Sequence, residues 1–215
     1  MVHRDRGAMA QTLHLAIDWQ NRYLAAAGSE SDALAARCAA AVRQFSAQGI
    51  STVWVTTGTV PLWQRLTPRQ EALLPRGYDV PAALAPVMRG YHAVKTSDSA
   101  FGNPALLPYL RQRGCTNMLI SGFMLRHCVA ATVHDALDYG FICTLLPDLI
   151  RDHADVADTT LRTRRLREYY GFQSQIRFAH PPLPQWPYSG LLRKTPATQP
   201  LAYQRFRALH DSIVY

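Results

Sequence analysis

The chain has 215 residues, 48% hydrophobic and 18% charged, with a formal net charge of +8. That length suits one packed domain with some decoration, and the composition excludes collagen-like and disordered classes. No apolar run approaches the ~20 residues that span a bilayer. The N-terminal MVHRDRGAMAQ lacks the apolar core of a signal peptide, so the expectations are a cytoplasmic location and no membrane partner.

Taken in chain order, TLHLAI (12–17) is a short apolar strand that ends at Asp18. A Ser/Asp start, alanine-rich periodicity and Gly49 predict a helix over 31–48, and the β-branched STVWVT a buried strand over 51–56. Residues 58–90 are broken by prolines and glycines into a long excursion, with a short helical turn at 68–74 and Trp63 as a pocket-wall candidate. HAVKT (92–96) resumes as a strand and delivers Lys95. A helix follows between Pro104 and Gly114, then NMLIS (117–121) as a strand and HCVAATVHDALDYG (127–140) as a helix stopped by Gly140. FICTLL (141–146), a helix over 155–170 and a strand over 175–179 complete the pattern. Six strands alternating with helices predict an α/β fold, a three-layer αβα arrangement around a doubly wound, mainly parallel six-stranded sheet. Residues 1–180 form the predicted domain. Residues 181–215 read as a proline-rich extension with a possible terminal helix.

The basic excess raises nucleic-acid binding. The densest run, Arg162, Arg164, Arg165 and Arg167, would spread over more than one helix face. Its aromatics (Tyr169, Tyr170, Phe172) follow the run rather than interleave with it, and no recognition motif accompanies it. A solvated basic face, or attraction for an anionic small-molecule substrate, accounts for the charge without a nucleic-acid partner. Of the 23 basic residues only Lys95 and Lys194 are lysines. Lysine is a compact charge whose pKa moves on burial, which arginine's does not, so Lys95 merits a functional reading.

Cys38, Cys115, Cys128 and Cys143 include no CxxC pair, and read as reduced thiols rather than bridges or zinc ligands. His127 and His134 share a helix face without a third ligand, so no metal is expected. In open parallel sheets ligands sit at the carboxyl ends of the strands. Asp18, Lys95 and the 122–128 crossing occupy that position in three separate units. A thiol must ionise to attack, and both a helix N-terminus and Lys95 would lower the Cys128 pKa. Asp18 would accept the proton, and backbone N–H groups at the helix start would hold an oxyanion. Singly, each residue also fits a bland role: a small buried hydrophobe, a turn cap, a solvated lysine.

Three blocks carry a resemblance. They are IDWQNRY (Asp18, Gln20, Asn21, Tyr23), VKTSDSAF (Lys95, Ser99, Ala100, Phe101) and SGFMLRHCVAATVHDALDYG (Gly122, Cys128, Val129, Thr132, Asp135, Ala136, Gly140). In order and spacing they resemble the isochorismatase-like cysteine hydrolases, a superfamily that includes nicotinamidases, N-carbamoyl amidohydrolases and ureidoacrylate hydrolases. The resemblance covers roughly residues 12–179. It implies catalytic Asp18, Lys95 and Cys128, a cis peptide between Phe123 and Met124, and oxyanion donors at the N–H groups of Met124 and Cys128. By family position Tyr23 would bind substrate. Many relatives are dimers or tetramers, so a homo-oligomer is expected.

Where metal-dependent nicotinamidases carry an Asp-x-His cluster, this chain reads TTGTVPLW. No metal or other cofactor is therefore expected. Met124 and Leu125 replace the family's usual small residue and threonine. Isochorismatases proper cleave a vinyl ether by acid catalysis and lack the cysteine. Cys128 thus favours C–N cleavage through a covalent thioester over the alternatives, a vinyl ether hydrolase with Asp18 as general acid or an inert binding protein on the same scaffold.

Overall fold

The computed structural model describes residues 11–58, 79–152, 164, 166, 170 and 175–181, all within one compact unit, Ala10–Leu183. Six strands form one sheet: β1 (Gln11–Ile17), β2 (Thr52–Thr57), β3 (Tyr91–Lys95), β4 (Cys115–Gly122), β5 (Ile142–Ile150) and β6 (Ile176–Phe178). Their spatial order is β3-β2-β1-β4-β5-β6, and every neighbouring pair is parallel. The expected doubly wound sheet is therefore present and wholly parallel. Its switch point, where strand order reverses, lies between β1 and β4.

The inner strands are apolar runs because both of their faces are covered. Leu13, Leu15 and Ile17 of β1 share a core with Leu106 and Leu110 of helix α3 (Leu106–Gln112) and with Val133 and Ala136 of α4 (Ala130–Asp138). The alternate residue, His14, meets Phe45 of α2 (Ser31–Ala47) edge-on, ring centroids 4.9 Å apart. The two helix layers thus take opposite faces of one pleated strand. β3 is an edge strand and alternates instead: Ala93 and Lys95 point inward while Val94 is exposed. No helix among the described residues is long and apolar enough to cross a membrane.

Several boundaries differ from those the sequence predicts. A short helix α1 (Asn21–Leu24) and a 3-10 turn (Ala25–Glu30) precede α2. β5 runs on to Ile150 past Pro147, through a register shift opposite Ile120 and Gly122, because proline cannot donate to the ladder. The helix expected from 127 begins as a π turn, Leu125–Val129. There the Val129 N–H reaches back five residues to the Met124 carbonyl, while the Leu125 N–H is diverted to Arg151 O at 2.9 Å. Of the 155–170 helix only 164, 166 and 170 are described, and they are helical. The 68–74 turn, Trp63 and the terminal helix lie outside the described residues.

His14 is fully buried and hydrogen-bonded to Ser121 (2.8 Å) and Thr52 (3.2 Å). Burial holds its pKa down at about 3, against the ordinary 6.5. The unfolded chain therefore binds a proton below pH 6.5 that the folded one refuses. The stability this group contributes is complete above pH 6.5 and is lost as pH falls toward 3, by about 1 kcal/mol per pH unit. Replacing His14 by Gln is expected to flatten that acid limb in urea unfolding measured between pH 4 and 7. Gly122 has φ +124°, and a Cβ there would stand 1.8 Å from Ile17 O. Gly122→Ala is expected to lose about 2–5 kcal/mol, read from the same unfolding experiment.

Candidate active site

Asp18 follows β1 directly, its N–H donating to Val55 O at 2.8 Å, and takes a left-handed backbone with φ 53°. Lys95 ends β3, paired in register with Thr57 of β2. Cys128 lies in the π turn after β4. These three sequence-predicted residues meet at one end of the sheet. Lys95 Nζ stands 3.0 Å from Asp18 Oδ2 and 3.2 Å from Cys128 Sγ. The Lys95 and Asp18 side chains are only 1% and 0% exposed, and Cys128 is 7% exposed.

The ammonium is held by more than its acid partner. It donates to Thr57 Oγ1 at 2.8 Å and Ser97 O at 3.1 Å, besides Cys128. Those bonds use its three protons. Asp18 Oδ2 sits close by charge attraction but off the directions of these bonds, and keeps a lone pair without a donor. Oδ1 accepts from Thr57 Oγ1 at 2.9 Å. Gln20 fixes Thr57 in turn, accepting from its N–H (2.8 Å) and donating to its carbonyl (3.2 Å). Thr57 is the residue that sequence reasoning missed. Its signal was available, since it ends β2 as Lys95 ends β3, but a hydroxyl lacks the ionisable character that drew attention to the lysine.

Electrostatics correct one expectation. The Cys128 thiol does not fall below its ordinary pKa of 9 but is pushed up to about 11. Burial is the main cause and the Asp18 charge adds to it, together outweighing the downward pull of Lys95. Burial also pulls Lys95 down, yet the charges of Asp18 and Cys128 prevail, so its pKa is raised and the ammonium persists. All four cysteines are free and buried. Burial pushes Cys115 and Cys143 up to about 12. What distinguishes Cys128 is a carboxylate and an ammonium beside it.

The turn feeding Cys128 is fixed from two sides. The Phe123–Met124 peptide is cis. The Phe123 N–H donates to Ile17 O at 3.0 Å, and its ring meets Trp19 edge-on at 5.3 Å. Just beyond β5, Arg151 N donates to Gly122 O at 3.2 Å, and Asp152 Oδ2 accepts from Arg126 Nε at 2.6 Å and from its backbone N–H at 3.2 Å. Met124 is buried, and its N–H has no acceptor among the described residues. Tyr23 is half-buried on α1 with its N–H on Gln20 O; Trp63 lies outside the described residues. His127 and His134 are exposed, and the described residues hold no group of three metal-ligating side chains.

With this geometry in hand, the chain matches the Isochorismatase domain family over residues 12–174. A Bacillus subtilis protein described as the uncharacterized isochorismatase family protein YddQ is 26% identical over 72 residues, 34% of this chain and 40% of that protein's length. The nicotinamidase PncA from Bacillus subtilis superposes with a TM-score of 0.60 at 17% identity, covering 78% of this chain and 98% of that one. N-carbamoylsarcosine amidase from Thermoplasma acidophilum gives 0.61 at 18%, covering 79% and 96%. An isochorismatase from Pseudomonas putida gives 0.60 at 22%, covering 81% and 90%. At these identities the superpositions speak for a shared fold.

The opposed pulls on Cys128 can be separated by alkylation. Asp18→Asn removes the charge that raises the thiol pKa, so Cys128 should react faster with iodoacetamide at pH 7. Lys95→Met removes the opposing charge and should slow it. Site-resolved mass spectrometry of labelling between pH 6 and 10 measures both; equal rates in the two variants would contradict this balance.

Proposed function

The chain belongs to the isochorismatase family of hydrolases, and from that premise we propose that it cleaves a C–N bond of a small amide, carbamoyl compound or ureide through a thioester on Cys128, without a metal. The observation that carries this reading is the buried Lys95 ammonium within 3.0 Å of Asp18 and 3.2 Å of Cys128. A structural cysteine needs neither group. The kinship in fold to an amidase and a nicotinamidase supports it as well.

Because the resting thiol titrates at about 11, attack is coupled to proton transfer. As Sγ bonds to the acyl carbon, its proton passes to the open lone pair of Asp18, and the carbonyl electrons move onto oxygen. The N–H groups of Met124 and Cys128 receive that oxyanion. Collapse expels the amine, which takes the proton back from Asp18 and leaves the thioester. Water then attacks with Asp18 again as base, and the acid product leaves with Cys128 restored as a thiol. Throughout, the Lys95 ammonium stays beside Asp18 and Cys128 and offsets the charge that forms on sulfur. Tyr23 is the substrate-wall candidate from α1.

Cys128→Ala and Cys128→Ser, assayed against a panel of small amides, carbamoyl compounds and ureides, should lose at least about 1,000-fold in kcat/KM. Rapid acid quench of the wild-type protein should trap an acyl adduct on Cys128 by mass spectrometry. Retained turnover in both variants would overturn the mechanism.

A further inference from the structure

A second concavity lies at the other end of the sheet. Its walls include Thr52 and Tyr91, which open β2 and β3, whereas the Cys128 site lies at the closing residues Thr57 and Lys95. Five strand steps, roughly 17 Å, separate the two ends of β2. The groove has a volume of about 540 Å3, within the range of small-molecule sites.

Its chemistry is one-sided. Arg43 comes from α2, Arg89 from the segment before β3 and Arg113 from the end of α3, and no carboxylate joins them in the lining. Elsewhere on the surface Arg37 pairs with Glu30 and Arg126 with Asp152. The three groove arginines have no ion-pair or hydrogen-bond partner for their guanidinium groups among the described residues. Arg113 instead lies 5.6 Å over the ring of Tyr109, a contact that orients the guanidinium plane without using its N–H donors. Tyr109 stacks on Tyr91 at 3.8 Å with an interplanar angle of 11°, making an aromatic wall.

Three exposed arginines with no acidic partner among the described residues line one small concavity, and together they favour a multivalent anion there. Guanidinium forks match phosphate oxygens bidentately, and the half-buried Tyr91 ring, backed by Tyr109, adds an aromatic surface beside them. We infer that this groove is a second ligand site, for a nucleoside phosphate, with phosphates on Arg43, Arg89 and Arg113 and the base against Tyr91. The inference is independent of the chemistry at Cys128.

Isothermal titration calorimetry of the full chain with ATP at physiological salt tests it. Saturable 1:1 binding is expected, weakened at least tenfold in Arg89→Gln/Arg113→Gln. Arg111→Gln, which removes the same kind of charge from α3 outside the groove, should stay within twofold of wild type. Inorganic tripolyphosphate should bind more weakly than ATP, and adenosine not measurably. Absence of saturable binding, or equal weakening in the Arg111 control, would overturn the site. Equal affinity for tripolyphosphate and ATP would overturn its assignment to a nucleoside phosphate.

Discussion

The arrangement depends on one buried ion pair, Lys95 with Asp18. A lysine ammonium with 1% of its side chain exposed is costly to bury, and only a full set of partners makes it tolerable. It has them: a carboxylate, a hydroxyl, a carbonyl and a sulfur. The same set explains why Asp18 keeps an open lone pair. Lys95 has three protons and four neighbours, so Asp18 Oδ2 receives charge attraction without a hydrogen bond. Removing either member would leave an uncompensated charge in the core, which ties the integrity of this end of the sheet to the chemistry performed there.

The sheet makes the convergence possible. Asp18 and the Gly122 turn emerge on either side of the switch point, from β1 and β4, where the crossover connections diverge. Lys95 comes from the edge strand, two strands from β1, and its stem carries Nζ to within 3.0 Å of Asp18 Oδ2. Thr57, on the strand between, bridges the gap that the stem spans. The close approach of Gly122 to Ile17 O leaves no room for a side chain and sets β4 tightly against β1. Behind this lies a chain of buried polar contacts, from Thr52 through His14 and Ser121 to Trp19, which braces β2, β1 and β4 beneath the turn.

Much of this was legible in residue order. The apolar runs of β1, β2 and β4, the charged residues closing β1 and β3 and the crossing from Gly122 to Cys128 give the parallel sheet and the three central groups. The rest depends on long-range contact. The π turn goes with long-range partners, Arg151 O taking the Leu125 N–H and Asp152 that of Arg126, and no local pattern encodes a partner 26 residues away. β5 overruns Pro147 because its pairing resumes at Gly122. Thr57 stayed invisible because only its position between two ionised groups gives a threonine this role. The direction of the Cys128 shift was misjudged because sequence shows which charges are near but not how dry the site is.

The dryness around Cys128 bears on the proposed mechanism. A thiol with its pKa lowered below neutrality attacks as a standing thiolate, and any electrophile that enters can consume it. With its pKa pushed up to about 11 the thiol of Cys128 stays protonated at neutral pH, and in the proposed reaction sulfur would become nucleophilic only as Asp18 removes the proton. Base and nucleophile are then coupled, so reactivity depends on a substrate that also engages the oxyanion donors. The burial that raises the thiol strengthens those N–H groups, because an N–H in a dry site stabilises a developing oxyanion more than one competing with water. Desolvation thus opposes the free thiolate and would favour the charged tetrahedral species of the proposed reaction.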